Sequence, residues 1–99
     1  MSPLSATSLS GMQAAQTALG ASAHNLANLA TGGFRREQVT QSAVADGGVS
    51  ASLSRAPQEG AALERDVIGL LAAKNQFLVN LAVFKAGDQM MGALFDAVT

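Results

Sequence analysis

Steps of seven from Leu63 reach Leu70, Phe77, Phe84, Met91 and Val98, every one apolar. The companion positions four residues on are Val67, Lys74, Leu81, Asp88 and Phe95. Two interleaved series of this kind are the a/d seam of a coiled-coil helix, sustained here for about five heptads. The pattern predicts one amphipathic helix from Ala61 to Val98, roughly 55 Å long. Ile68, Leu71, Leu78 and Leu94 lie beside the seam and widen it beyond what one partner helix covers. Lys74 and Asp88 interrupt it. Each would be costly if buried unpaired, so both are expected at its edge, although polar residues at such sites can fix register and partner number. Gly69, Gly87 and Gly92 each weaken an isolated helix by roughly 1 kcal/mol relative to Ala, so its order depends on packing.

The start of the chain carries a second, weaker pattern. Ser2 suits a helix N-cap and Pro3 the first helical position. A seam of Leu9, Met12, Gln16, Leu19, Ala23, Leu26 and Ala30 follows in steps of three and four, among alanines that would let a partner come near. This helix should end at Thr31-Gly32-Gly33, where glycine can take the left-handed C-terminal conformation.

Between the helices the composition shifts. Arg35-Arg36-Glu37 reads as a solvated charged cluster. Glu37–Val44 and Val49–Arg55 are short, partly alternating and rich in Val, Thr, Ser and Gln, with Ala45-Asp46-Gly47-Gly48 between them. Asp-Gly is a hairpin turn signal, so a two-stranded hairpin is expected. It is marginal alone and needs the helices to lie on. Ala56-Pro57-Gln58-Glu59-Gly60 then breaks the chain. The expected fold is mainly α: two long helices in an antiparallel coiled-coil-like hairpin, joined by a short β-hairpin or irregular connection. The segments of this single domain are 1–31, 32–60 and 61–99. The second helix is the longer by roughly two turns, which leaves part of its apolar seam uncovered as an interaction site.

Composition supports self-association. The 99 residues are 48% hydrophobic, yet without Trp, Tyr or Cys and with only four Phe, the apolar content suits helix seams better than a thick core. A homo-oligomer is expected. A net charge of −1 argues against a nucleic-acid footprint, and nothing resembles a polybasic membrane patch. No window reaches the ~18 to 20 consecutive apolar residues of a membrane span, so direct membrane insertion is not expected. Met1 to Leu9 carries neither positive charge nor a uniformly apolar core, so no cleavable secretory signal is expected.

Catalytic constellations are missing from the pattern. His24 is the single histidine, which rules out a two-His metal site within one chain; beside Asn25 and Asn28 it suits capping or interhelix hydrogen bonds. Glu64 and Asp66 lie near a helix start and favour the positive end of its dipole. Gly32-Gly33 and Gly47-Gly48 lack the Lys and Ser/Thr of a phosphate loop. No enzymatic activity, metal or cofactor is expected.

Two stretches carry a resemblance. Leu9-Ser10-Gly11-Met12-Gln13-Ala14-Ala15-Gln16, running on through Ser22-Ala23-His24-Asn25-Leu26-Ala27-Asn28 to Thr31-Gly32-Gly33-Phe34-Arg35-Arg36, closely resembles the N-terminal signature of bacterial flagellar basal-body rod proteins. Asn80, Val83, Asp88, Met90, Gly92 and Leu94 are similar to that family's C-terminal pattern. The resemblance implies paired terminal helices that pack into a hollow helical tube by head-to-tail contacts. It also implies terminal helices that order on assembly, and export through the flagellar type III apparatus to the basal body without a cleaved signal. Partners would be further copies, other axial proteins and the export apparatus. The expected assembly interface is Leu9, Met12, Leu19 and Leu26 on the first helix, with Leu63, Val67, Leu70, Phe77, Leu81, Phe84, Met91 and Phe95 on the second. Asn25, Asn28, Thr31, Gly33 and Phe34 would shape the exit from the first helix. The chain departs from the family at Gly32 (usually Pro), at Lys74-Asn75-Gln76-Phe77 (where an arginine and a tyrosine are common) and at Gln89 (usually Glu). Its middle segment is also shorter than most.

Overall fold

A computed structural model describes residues 3–98. It contains helix α1 (Pro3–Ala27), strands β1 (Glu37–Ala43) and β2 (Val49–Arg55), and helix α2 (Leu63–Val98). Pro3 opens α1 as expected, whereas the expected cap Ser2 lies outside the described residues. The chain is drawn out to 63 × 24 × 14 Å, its long dimension set by α2, whose 36 residues span about 54 Å.

α1 ends at Ala27, before the predicted stop at the glycines. Successive turns release it: the Asn28 N–H donates to the carbonyls of both His24 and Asn25, and the Thr31 N–H donates to the Asn28 carbonyl. Gly33 follows with φ 74°. α2 begins with Glu64 and Asp66 in its first turn, where carboxylates meet the positive end of the helix dipole.

The hairpin is antiparallel, with Glu37 opposite Arg55, Val39 opposite Leu53 and Ala43 opposite Val49. Its tip closes through the Val44 N–H to the Gly48 carbonyl at 3.1 Å, with Gly47 and Gly48 at φ 90° and 99°. Two strands cannot bury a face alone, and this pair lies along α1. Ser10 holds the tip: its Oγ accepts from the Val49 N–H at 3.0 Å and donates to the Thr7 carbonyl at 2.7 Å. Reciprocal amide bonds between Gln41 and Gln76 (3.0 and 3.3 Å) tie the hairpin to α2.

α1 and α2 pack against each other, with contacts running in opposite order along the two helices. Asn25 meets Asp66, Gly69 lies against Ser22, Gly11 against Asn80, and Gly87 against Leu4. The contact line differs from the predicted seams. On α1 the buried positions are Ser5, Ser8, Gly11, Met12, Ala14, Ala15, Ala21 and Asn25. Of the larger seam residues there, Leu9 and Leu26 are half-buried and Leu19 is exposed. On α2, Leu70, Phe77 and Phe84 do turn toward α1, but their buried companions are Asp66, Ala73 and Gly87, with Asn80 half-buried between them. The +4 companions Val67, Lys74, Asp88 and Phe95 are exposed, and Leu81 is half-buried. Small side chains carry the contact because the backbones come close. A Cβ at Gly11 would lie 2.5 Å from Asn80 Oδ1, and one at Gly69 would lie 2.9 Å from Ser22 Oγ.

Candidate assembly surface and its polar clasp

Among the described residues, the contact between the helices runs as far as the start of α1. Leu4, near the first described residue, already lies against Gly87. Toward the C-terminal end of α2, Met90 is 65% and Leu94 60% exposed. Further back, Leu63, Val67, Ile68, Leu71, Leu78, Val79 and Val83 are exposed as well. Exposed apolar side chains thus recur along the whole of one helix, more than the scattered apolar residues of an ordinary monomer. By length and composition α2 is also apolar enough to cross a membrane, with a stretch of mean hydropathy 1.6. That helix carries Lys74, Asn75, Gln76 and Asn80, polar groups that a lipid-facing span would have to satisfy internally.

The expected interface residues divide into two sets. Leu63, Val67, Met91, Phe95 and Leu19 are exposed, while Leu9, Leu26, Leu70, Phe77, Leu81 and Phe84 are half-covered within the chain and Met12 is buried. Lys74 and Asp88 stand exposed outside the helix–helix contact, so neither charge is stranded.

At the base of the hairpin the structure assembles a polar cluster that the sequence pattern does not announce. Asn25, 3% exposed, donates from Nδ2 to the Glu37 carbonyl at 2.9 Å and to Asp66 Oδ1 at 3.2 Å. Its Oδ1 accepts from the Glu37 N–H at 2.8 Å. One side chain thus mimics a strand neighbour for the first residue of β1 while also reaching α2. Arg36 closes the cluster: Nε donates to Asp66 Oδ2 at 3.1 Å, and Nη2 donates to Oδ1. Arg36 is therefore not part of a solvated face. It is almost covered, and the carboxylate it grips is 2% exposed.

The two charges tune each other. Hydrogen bonding to Arg36 holds the Asp66 carboxyl below its ordinary pKa, against burial, which pushes it up; Asn25 adds to the lowering. The Arg36 guanidinium is raised, first by its hydrogen bond to Asp66. Three elements meet at this point: the end of α1, the entry to β1 and the first turn of α2.

The remaining motif residues form the outer wall of the same corner. Asn28 Nδ2 donates to the His24 carbonyl at 2.9 Å, and Thr31 Oγ1 donates to Asn28 Oδ1 at 3.1 Å. The Phe34 carbonyl accepts from the Gly60 N–H at 3.3 Å, so both ends of the connection are stitched together before α2 begins. His24 meets the Phe34 ring edge-on at 5.3 Å and brings Nε2 within 3.6 Å of Glu37 Oε1, in place of the capping or interhelix bond expected of it. Among the described residues no group of three or more His, Cys, Asp or Glu is placed to hold a metal ion. Comparison of the chain with protein-family models, with curated proteins and with solved structures finds no match.

Proposed function

We propose that this chain is a structural, self-assembling axial component of the bacterial flagellar basal-body rod, working by helix–helix packing. In this reading α1 and α2 form an antiparallel coiled-coil-like hairpin, and the outer face of α2 meets neighbouring subunits. The exposed apolar side chains of α2 carry the reading: they recur along too much of the helix to be left to water. The resemblance of both ends of the chain to rod proteins supplies the identity of the neighbours. The clasp supports it as well, since Asn25 and Arg36, both within the N-terminal signature, fix the corner from which α2 departs.

Further copies, other rod and axial proteins and the flagellar export apparatus are the proposed partners, and the periplasm-spanning rod is the proposed location. No catalytic step is assigned to the chain. The departures at Gly32, at Lys74-Asn75-Gln76-Phe77 and at Gln89 favour one other reading: a cytoplasmic paralogue of rod proteins that binds axial subunits or regulates their assembly.

Purified flagellar basal bodies, examined by quantitative mass spectrometry, separate the two. Recovery of the chain at a stoichiometry close to that of other rod subunits is the expected result. Its confinement to the cytoplasm would overturn the axial reading in favour of the regulator.

A further inference from the structure

The series Val67, Lys74, Leu81, Asp88 and Phe95, exposed at every position but Leu81, is its own complement. Read backwards it runs apolar, acidic, apolar, basic, apolar, so an identical helix laid antiparallel on it matches every position. Lys74 and Asp88 are both exposed, and Leu81 between them is half-buried. We propose that α2 pairs with α2 of a second copy of this chain, antiparallel, about a two-fold axis at Leu81.

In that register Lys74 faces Asp88 of the second copy, Asp88 faces its Lys74, and Leu81 packs on Leu81. Val67 falls opposite Phe95, Leu71 opposite Met91 and Leu78 opposite Phe84. Lys85 falls opposite Phe77, where its long stem can lie along the contact and carry the ammonium to water. The charges select this arrangement. A parallel pair sets Lys74 on Lys74 and Asp88 on Asp88. An antiparallel pair slipped by one heptad sets each of the two charges against an apolar side chain.

Surface area agrees. The chain exposes 6561 Å², whereas a compact monomer of its mass would expose about 5,200 Å². The difference exceeds the ~800 Å² that each partner buries in a standard stable interface. The hairpin does not obstruct the face. It reaches α2 at Gln76, about 200° around the helix from Lys74. A two-fold contact closes on itself, so such a pair is finite and holds this face of α2 back from any open-ended array. The inference rests on the pattern of α2 alone; because the pair covers the face that the axial reading gives to neighbouring subunits, it describes the free chain before any assembly.

The chain has no cysteine, so Leu81→Cys introduces a single thiol. The pair places that thiol beside its counterpart, and mild oxidation should yield a covalent dimer. Val67→Cys, about 40 Å from its own counterpart in this register, should stay uncrosslinked. Sedimentation provides the second arm. Lys74→Asp and Asp88→Lys should each weaken the dimer about tenfold or more, because the two-fold axis counts every change twice. The double swap should restore it. A wild-type chain that sediments as a monomer at every concentration overturns the proposal. So does crosslinking at Val67→Cys equal to that at Leu81→Cys, or a double swap no tighter than the single ones. Circular dichroism of the exposed-charge variants should match the parent chain. None of these outcomes bears on whether the chain is found in basal bodies.

Discussion

Gly11 of α1 lies directly on Asn80 of α2: a Cβ at Gly11 would fall 2.5 Å from Oδ1, 2.6 Å from Cγ and 2.7 Å from Nδ2. Asn80 cannot swing away freely, because its Nδ2 donates to the Gln76 carbonyl at 2.8 Å. Gly11→Ala gains about 1 kcal/mol of helix propensity, against overpacking that costs about 1–3 kcal/mol. The net expectation is a loss of about 1 kcal/mol in urea unfolding. In an Asn80→Ala background the obstacle is gone, and the same Gly11→Ala change should stabilise. A change of sign between the two backgrounds is the diagnostic; equal effects in both would mean that the contact does not limit the approach of the helices.

Asn25→Ala removes the partner of both backbone groups of Glu37 and one hydrogen-bond donor to Asp66. Unsatisfied groups of this kind cost about 1–3 kcal/mol. Hydrogen exchange should rise first at the Glu37 amide, with the hairpin tip less affected because Ser10 holds it separately. Uniform acceleration across the hairpin would show instead that root and tip open together.

Asp66 makes the fold acid-sensitive in a defined direction. Its carboxyl is held below the ordinary value by Arg36 and Asn25, so the folded state binds its proton less readily than the unfolded chain does. The stabilisation is fully present above the unfolded value of about 3.9 and is lost as pH falls through the folded value. Asp66→Asn should lower stability at neutral pH, because Arg36 keeps its desolvated charge without a counter-ion. It should also flatten the acid limb of the stability profile. An unchanged acid limb would assign the sensitivity to other carboxylates.

Gly48 is constrained twice, by φ 99° and by Ser10 Oγ, 2.7 Å from where a Cβ would sit. Gly48→Ala should cost about 2 kcal/mol or more, combining backbone strain with displacement of Ser10. Adding Ser10→Ala relieves the clash but not the strain, and it deprives the Val49 N–H of its acceptor. The double variant should therefore remain less stable than the parent chain in thermal unfolding.

For the axial reading, Leu81→Asp combined with Phe84→Asp should abolish incorporation into basal bodies. Both residues are half-buried, so the helical content of the purified variant is measured alongside. Normal incorporation of this variant would exclude the α2 surface as the assembly contact.

The elements were legible because they rest on local signals: Pro at one helix start, Asp-Gly at the hairpin turn, and Pro with Gly before α2. The face that α1 buries was not. Apolar periodicity weights Leu9, Met12, Leu19 and Leu26, of which only Met12 is buried, whereas the close helix approach selects Ser5, Ser8, Gly11, Ala15 and Ala21, which carry little or no hydrophobic signal. On α2 the seven-residue step from Leu63 is half-buried at Leu70, Phe77 and Phe84 and exposed at Leu63 and Met91, and the companion series faces away from α1 except at half-buried Leu81. Taking the positions four before Leu70, Phe77 and Phe84, rather than four after, reaches Asp66, Ala73 and Asn80. Nor could the clasp be found locally. Arg36 and Asp66 lie thirty residues apart in the chain, and each alone looks like an ordinary surface charge.

The small-residue contact between α1 and α2 inverts the usual sensitivity of a protein interior. In an ordinary core the damaging changes remove atoms, since each leaves a void. Along Ser5, Ser8, Gly11, Ala15 and Ala21 there is almost nothing left to remove. Most substitutions there add bulk, and added bulk wedges the helices apart. This face therefore has no gentle direction in which to drift, while the larger side chains on the outside of α1 stay comparatively free to vary.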